Sequence, residues 1–214
     1  MRQSLFKEEN TRNGGFMPAE DNKEKRRRMI EDVREKISSL SEKELAQKKQ
    51  GVIKQLFDFA NYLEAKIAML YYPGDELEFE IEDIFAKSLE RGKVVTFPFF
   101  GKKNENIKFY KVDNIKQNLI RSESGKMLPD KKICREIPDE YIDIAVIPGM
   151  AFDEKGGRIA FNKADYDRLI ANLPMTTRKI ALCLEEQIVS QIPMESKKRY
   201  VDMIITNERI IYKI

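Results

Sequence analysis

Six short apolar runs, spaced along the chain and separated by amphipathic stretches, constrain this sequence more than any other feature. They are Ile67–Tyr72, Val94–Phe97, a weaker one around Ile107, Phe109 and Tyr110, then Ile142–Ile147, Lys179–Leu184 and Val201–Thr206. Several stop abruptly at Pro73-Gly74, Pro98 or Pro148-Gly149, residues that punctuate strands because they lack an N–H or take unusual backbone angles. Between them lie helical patterns. Met29, Val33, Ile37 and Leu40 share one face, and the helix is expected to begin at Lys23. Ser41 with Glu44 three residues on is a capping box that opens a second helix, whose face is Leu45, Val52, Ile53, Leu56, Phe57 and Ala60. Ile81, Ile84, Phe85 and Leu89 mark a third, closed by Arg91-Gly92, and Tyr166, Leu169, Ile170 and Leu173 a fourth. Strands alternating with helices of this length predict an α/β fold of three layers, α/β/α, with a mainly parallel sheet covered by helices on both faces. In such sheets ligands sit beyond the carboxyl ends of the strands.

With 214 residues, one domain over 23–214 is expected, preceded by a flexible polar extension over 1–22. A hydrophobic fraction of 42% is enough for a real core. The 39 basic against 36 acidic residues leave a net charge of only +3, which gives no warrant for nucleic-acid binding by the whole surface. No run approaches the roughly 18 apolar residues of a membrane span. The start has no apolar leader and Cys134 and Cys183 are too few for a disulfide scaffold, so a cytoplasmic setting is expected. The chain contains no histidine. That removes Ser-His-Asp and Cys-His catalysis, imidazole acid–base chemistry and His-ligated zinc together. Chemistry must then run on carboxylates, Lys, Arg, Tyr, backbone amides or a hard cation held by oxygen.

Three places could carry it. The basic cluster Lys23, Lys25, Arg26, Arg27, Arg28 heads the first helix, where positive charge is electrostatically poor, and could meet an anionic ligand or be a solvated helix start. Pro73-Gly74-Asp75-Glu76 follows a buried strand and reads as a cleft-facing carboxylate or as an ordinary turn. The run from Ile147 through Asp153, Gly156-Gly157-Arg158 and Asn162-Lys163-Ala164-Asp165-Tyr166-Asp167-Arg168 feeds a helix start. That order suits an anion, with Asp167 either an N-terminal helix acid or a Mg2+ ligand.

The stretch DIAVIPGMAFDEKGGR, residues 143–158, resembles the 5-formyltetrahydrofolate cyclo-ligase family, also called methenyltetrahydrofolate synthetases. Collinear agreement runs over 23–214: Tyr72 to Glu78, Gly92-Lys93-Val94-Val95 with Pro98, Gln187, Pro193, and Val201 to Thr206. The resemblance implies the cyclo-ligase fold and an ATP- and Mg2+-dependent conversion of 5-formyltetrahydrofolate to 5,10-methenyltetrahydrofolate. In that reaction the formyl oxygen attacks the γ-phosphate, N10 then attacks the activated carbon, and ADP and phosphate leave. It implies Arg158, Lys163 and Tyr166 as catalytic residues, and Arg26, Arg158, Ala160, Asn162, Lys163, Ala164, Asp165 and Tyr166 around ATP. Tyr71, Glu76 and Tyr166 would meet the folate and Asp167 the Mg2+. The family's loop Arg-x-Gly-x-Gly-x-Gly-Tyr-Tyr-Asp-Arg has Ala160, Asn162 and Ala164 in place of its glycines, Asp165 in place of its first Tyr, and its later His-Asp pair is Lys197-Lys198. The family's Thr after the turn glutamate is Phe79. Partners expected are a reduced folate and ATP, with no membrane, in a monomer or weak homodimer. A diverged homologue that binds a folate or another small anion without ATP turnover is the second reading, and a nucleic-acid module using 23–28 as a basic arm the third.

Overall fold

The computed structural model describes residues 19–101, 105–161, 163–193 and 200–213. Its elements run in chain order as α1 (Ala19–Ser38), α2 (Glu42–Asp58), α3 (Ala60–Glu64), β1 (Ile67–Met69), α4 (Glu82–Glu90), β2 (Val94–Phe99) and β3 (Lys108–Lys111). Then come α5 (Ile115–Asn118), β4 (Leu119–Arg121), β5 (Met127–Pro129), β6 (Glu136–Ile137), β7 (Ile144–Val146), β8 (Ala151–Phe152) and β9 (Arg158–Ile159). The chain closes with α6 (Lys163–Asn172), β10 (Arg178–Leu182), β11 (Met203–Ile205) and β12 (Ile210–Tyr212).

The central sheet has eight strands in the order β12-β11-β10-β7-β1-β2-β3-β6. The five inner strands from β11 to β2 are parallel, and β12, β3 and β6 add antiparallel edges. This is the expected three-layer α/β architecture. From β1 the chain crosses through α4 to β2 on one side, and from β7 through α6 to β10 on the other. Right-handed crossovers running in opposite directions put α4 and α6 on opposite faces, and they leave a switch point between β1 and β7. A single main core fills both faces. It draws Val52, Leu56 and Phe57 from α2, Ile84 and Phe85 from α4, Leu169 and Ile170 from α6, and all three residues of β7.

The capping box at Ser41 forms as expected. Ser41 Oγ accepts from the Glu44 amide at 3.3 Å, and Glu44 Oε2 accepts from the Ser41 amide at 2.9 Å. Ala60 lies past the end of α2, in α3. Helix α1 begins at Ala19 rather than Lys23, so the end of the polar extension is helical; residues 1–18 lie outside the described residues. Pro98 does not stop β2 but lies within it, opposite Phe109 of β3. Leu70 donates to the Thr96 carbonyl and Val112 to that of Val95, so the position of Pro98 turns toward β1, whose pairing has ended at Thr96. The missing N–H therefore breaks no ladder bond. The hairpins β4–β5 and β8–β9 and the edge strands β6 and β12 escaped the sequence reading because two- and three-residue strands carry no measurable period. Helix α1 covers β8–β9 with Met29 and Val33, packed on Ala151, Ile159, Leu77 and Ile192 in a second apolar cluster.

Candidate functional site

The Phe-Asp-x-x-Gly-Gly-Arg motif makes a turn that aims its arginine inward. Asp153 is buried, and its Oδ1 accepts from the amides of Gly157 at 2.8 Å and Lys155 at 3.0 Å, while Oδ2 accepts from Ile192 at 2.7 Å. Gly156 takes φ = +83°, and a Cβ there would strike the Val201 carbonyl, so only glycine closes the turn without strain. The chain then returns as β9, with Arg158 opposite Phe152 and its side chain fully buried.

Arg158 donates to the Pro148 carbonyl at 3.1 Å and to Asp167 Oδ1 at 2.9 Å; its Nε has no partner. Burial lowers its pKa, and the carboxylate of Asp167 is the largest influence opposing that shift. The other Asp167 oxygen takes Lys163 Nζ at 2.7 Å. Arg158, Asp167 and Lys163 thus form one buried-to-surface charge network that fastens the start of α6 to the loop after β7. Both Asp167 oxygens face cations, which disfavours a further divalent ion there, and no group of three metal-ligating side chains occurs among the described residues. The residues present do not fit a protein-held Mg2+ at Asp167.

A cleft of about 550 Å³ opens beside this network, at the carboxyl ends of β1 and β2. Its walls are Tyr72, Pro73 and Gly74, then Phe97, Pro98 and Phe100, with Phe161 and Tyr166 opposite. The β4–β5 hairpin overhangs it with Arg121, Lys126 and Met127, and Lys126 pairs with Asp165 at the rim. Tyr166 forms the aromatic centre, edge-on to Phe100 at 5.1 Å and to Tyr71 at 6.5 Å. Burial pushes the Tyr166 hydroxyl well above the ordinary phenol range, so it stays protonated.

A second, more open groove of about 710 Å³ lies along α1, lined by Lys23, Arg26, Arg27 and Arg34, by Glu24 and Glu31, and by Ile30 and Ile159. Arg26 donates to the Pro193 carbonyl and so ties α1 to the segment after β10. Arg27 and Arg28 pair with Glu24, and Arg27 also with Glu31. Much of the basic arm is thereby neutralised within the helix.

The other expected residues are distributed around these two cavities. Glu76 has a side chain 75% exposed, pairs with Arg34, and does not line the aromatic cleft. Tyr71 stands behind the wall, its hydroxyl donating to the Phe79 carbonyl at 2.8 Å, and Tyr72 takes the lining position. Ala160 is buried and Ala164 exposed on the first turn of α6. Asn162, Lys197 and Lys198 lie outside the described residues.

Two residues that the sequence comparison touched were given no role at the site. Glu78 is 4% exposed; its Oε2 accepts from the Gly74 amide at 2.8 Å, and the Phe161 amide also favours its charged form. Burial is the main cause that raises its carboxyl pKa. No periodic signal could have found it, because Glu76 and Glu78 lie in a turn, where neither the helix nor the strand period says which side chain faces inward. Gln187 Nε2 donates to the carbonyls of Leu77 at 2.7 Å and Met150 at 3.0 Å, so it clamps the turn after β1 to the loop after β7.

Fold and cavities together define a three-layer α/β protein with an aromatic-walled cleft at the carboxyl ends of β1 and β2. The model of the 5-formyltetrahydrofolate cyclo-ligase family matches residues 19–207, and the chain belongs to that family. A probable 5-formyltetrahydrofolate cyclo-ligase of Schizosaccharomyces pombe is 27% identical over 77% of this chain and 86% of its own length. One of Caenorhabditis elegans is 27% identical over 82% and 90%. Among solved structures, the 5,10-methenyltetrahydrofolate synthetase of Aquifex aeolicus superposes with a TM-score of 0.72 at 24% identity, covering 90% of this chain and 92% of that one. That of Mycoplasma pneumoniae reaches 0.63 at 18% identity, over 87% and 99%.

Proposed function

We propose that the protein converts 5-formyltetrahydrofolate to 5,10-methenyltetrahydrofolate at the expense of ATP. The observation that carries this reading is the aromatic cleft at the carboxyl ends of β1 and β2, with Tyr166 of α6 at its centre. A flat reduced pterin suits a slot walled by Tyr72, Phe97, Phe100, Phe161 and Tyr166. A triphosphate suits the groove, where Arg26 and Lys23 reach from α1 and Ile159 leads into the start of α6. Lys163 and the unpaired first amides of α6, around Ala164 and Asp165, supply positive potential for the phosphates.

The chemistry asks for positioning more than for a protein nucleophile. The formyl oxygen attacks the γ-phosphorus and ADP departs. N10 then adds to the activated carbon, and phosphate leaves with the former formyl oxygen. Tyr166 holds the pterin edge and Lys163 neutralises the transferring phosphoryl group, while Arg158 positions α6 from behind. No step is assigned to a metal ion at Asp167.

The engagement of both cations by Asp167, together with Ala160, Asn162 and Ala164 in the loop, supports a second reading in which a folate binds and ATP is not turned over. A single-turnover assay separates the two. With saturating 5-formyltetrahydrofolate, the absorbance of the methenyl product should rise only when ATP is added. Folate binding by calorimetry with no such product would favour the binder.

A further inference from the structure

We propose that the β4–β5 hairpin is a lid over the aromatic cleft and that the ion pair between Lys126 and Asp165 is its latch. The hairpin stands apart from the central sheet as a two-stranded ribbon, a unit that is marginal by itself. Its base is fixed. Leu119 and Pro129 face each other across the ladder and are buried, the Asp130 amide donates to the Asn118 carbonyl at 2.8 Å, and β5 packs along β2. Its tip is solvated. Arg121, Glu123, Ser124 and Gly125 are exposed, and the turn closes on itself, the Gly125 amide donating to the Ser122 carbonyl at 2.9 Å. Arg121 and residues 124–128 nevertheless form one side of the cleft. A ribbon anchored at its base and solvated at its tip opens more easily than the sheet beneath it.

Lys126 reaches from the tip to Asp165 in the first turn of α6, on the wall that carries Tyr166, and both charged side chains line the cleft. Arg168 stands 3.9 Å from the other Asp165 oxygen, so the carboxylate is held in place from the α6 side while Lys126 meets it from the hairpin. The pair therefore closes the cleft between its moving and its fixed wall. Its side chains remain 34% and 25% exposed, and bridges with this much access to water bias an equilibrium only about two- to fivefold. That strength suits a contact that must break whenever a ligand enters or leaves. A ligand admitted only by the open form associates in proportion to the open fraction.

The test has two arms, each run on wild type, Lys126→Met, Asp165→Asn and the double variant. In ligand-free protein, amide relaxation dispersion, which reads microsecond-to-millisecond motion, should show one exchange process shared by residues 120–127 and absent from β7. Its open population should rise about two- to fivefold in each single variant and no further in the double, as it must when both residues act through one contact. The second arm rests on the folate reading above: stopped-flow mixing with 5-formyltetrahydrofolate, without ATP, should give association and dissociation rates that both rise by about that factor in Asp165→Asn. Flat dispersion across the hairpin in all four proteins would overturn the lid. Single-variant effects that multiply in the double, or an Asp165→Asn variant in which dissociation alone quickens, would overturn the latch and make each residue a separate ligand contact. A wild type that shows the latched motion but binds no 5-formyltetrahydrofolate would overturn the folate reading and leave the lid supported.

Discussion

Arg158 and Glu78 illustrate how burial alters what a side chain can do. An arginine in a glycine-rich loop suggests a phosphate contact, yet here its guanidinium is sealed in the interior and committed to Asp167 and Pro148. Removing one member of a buried pair leaves the other charge uncompensated, which typically costs about 3–5 kcal/mol. Asp167→Ala should therefore lower stability by about that amount in urea denaturation, and a loss below about 0.5 kcal/mol, typical of a surface change, would show that Arg158 is served by other groups. Glu78 has a consequence for pH. Its folded pKa lies above the ordinary 4.5, so the folded state holds its proton longer than the unfolded one. The stabilising effect is fully present below 4.5 and fades as pH rises through the raised value. Glu78→Gln should remove that dependence. Its stability relative to wild type should improve as pH climbs from about 4 toward neutrality, as urea titrations at several pH values would reveal. Neither role could be read from the chain, because residue type and spacing do not say how deep a side chain will lie. Glu76 and Glu78 are the same residue two positions apart.

At the scale of elements, the turns were more legible than the short strands. Gly156 was visible as part of a motif, and the structure adds why it must be glycine: positive φ and the Val201 carbonyl where a Cβ would go. Gly156→Ala should cost about 1–3 kcal/mol from backbone strain. It should also loosen the bond from the Val201 amide to the Gly156 carbonyl, 3.0 Å long, that docks the entry to β11. Equal stability of the alanine variant would mean that the turn can flip to an ordinary backbone. The capping box was legible in full because both of its partners lie within four residues of each other. The β4–β5 hairpin, which brings Arg121 and Lys126 over the cleft, was not. Its strands are three residues long, and its position over the cleft is set by contacts distant in sequence, such as Lys126 with Asp165.

Across the whole molecule, stability should follow the sheet order. Strands β7, β1 and β10 lie inside the parallel region, and the residues of β7 are wholly buried. At the rims, β12 and β6 are bonded on one side only. Amide exchange should be slowest in β7 and β1 and fastest in β12 and β6. Protection that was highest at an edge would contradict this architecture.

By itself the sequence determined the class of fold, the main helices with the capping box of α2, the five inner strands β1, β2, β7, β10 and β11 with β3 beside them, and the absence of imidazole chemistry. It also carried the family, through one contiguous motif around Pro148-Gly149 and collinear agreement on either side. These are local or pattern properties: periodicity, capping and turn chemistry act over a few residues and survive translation along the chain. Only the tertiary structure decided which direction each strand runs at the edges, that Glu78 and not Glu76 is buried, and that Asp167 is held between Arg158 and Lys163. Those depend on which segments meet across the switch point between β1 and β7. Burial, and with it the worth of every charge, is a property of that meeting.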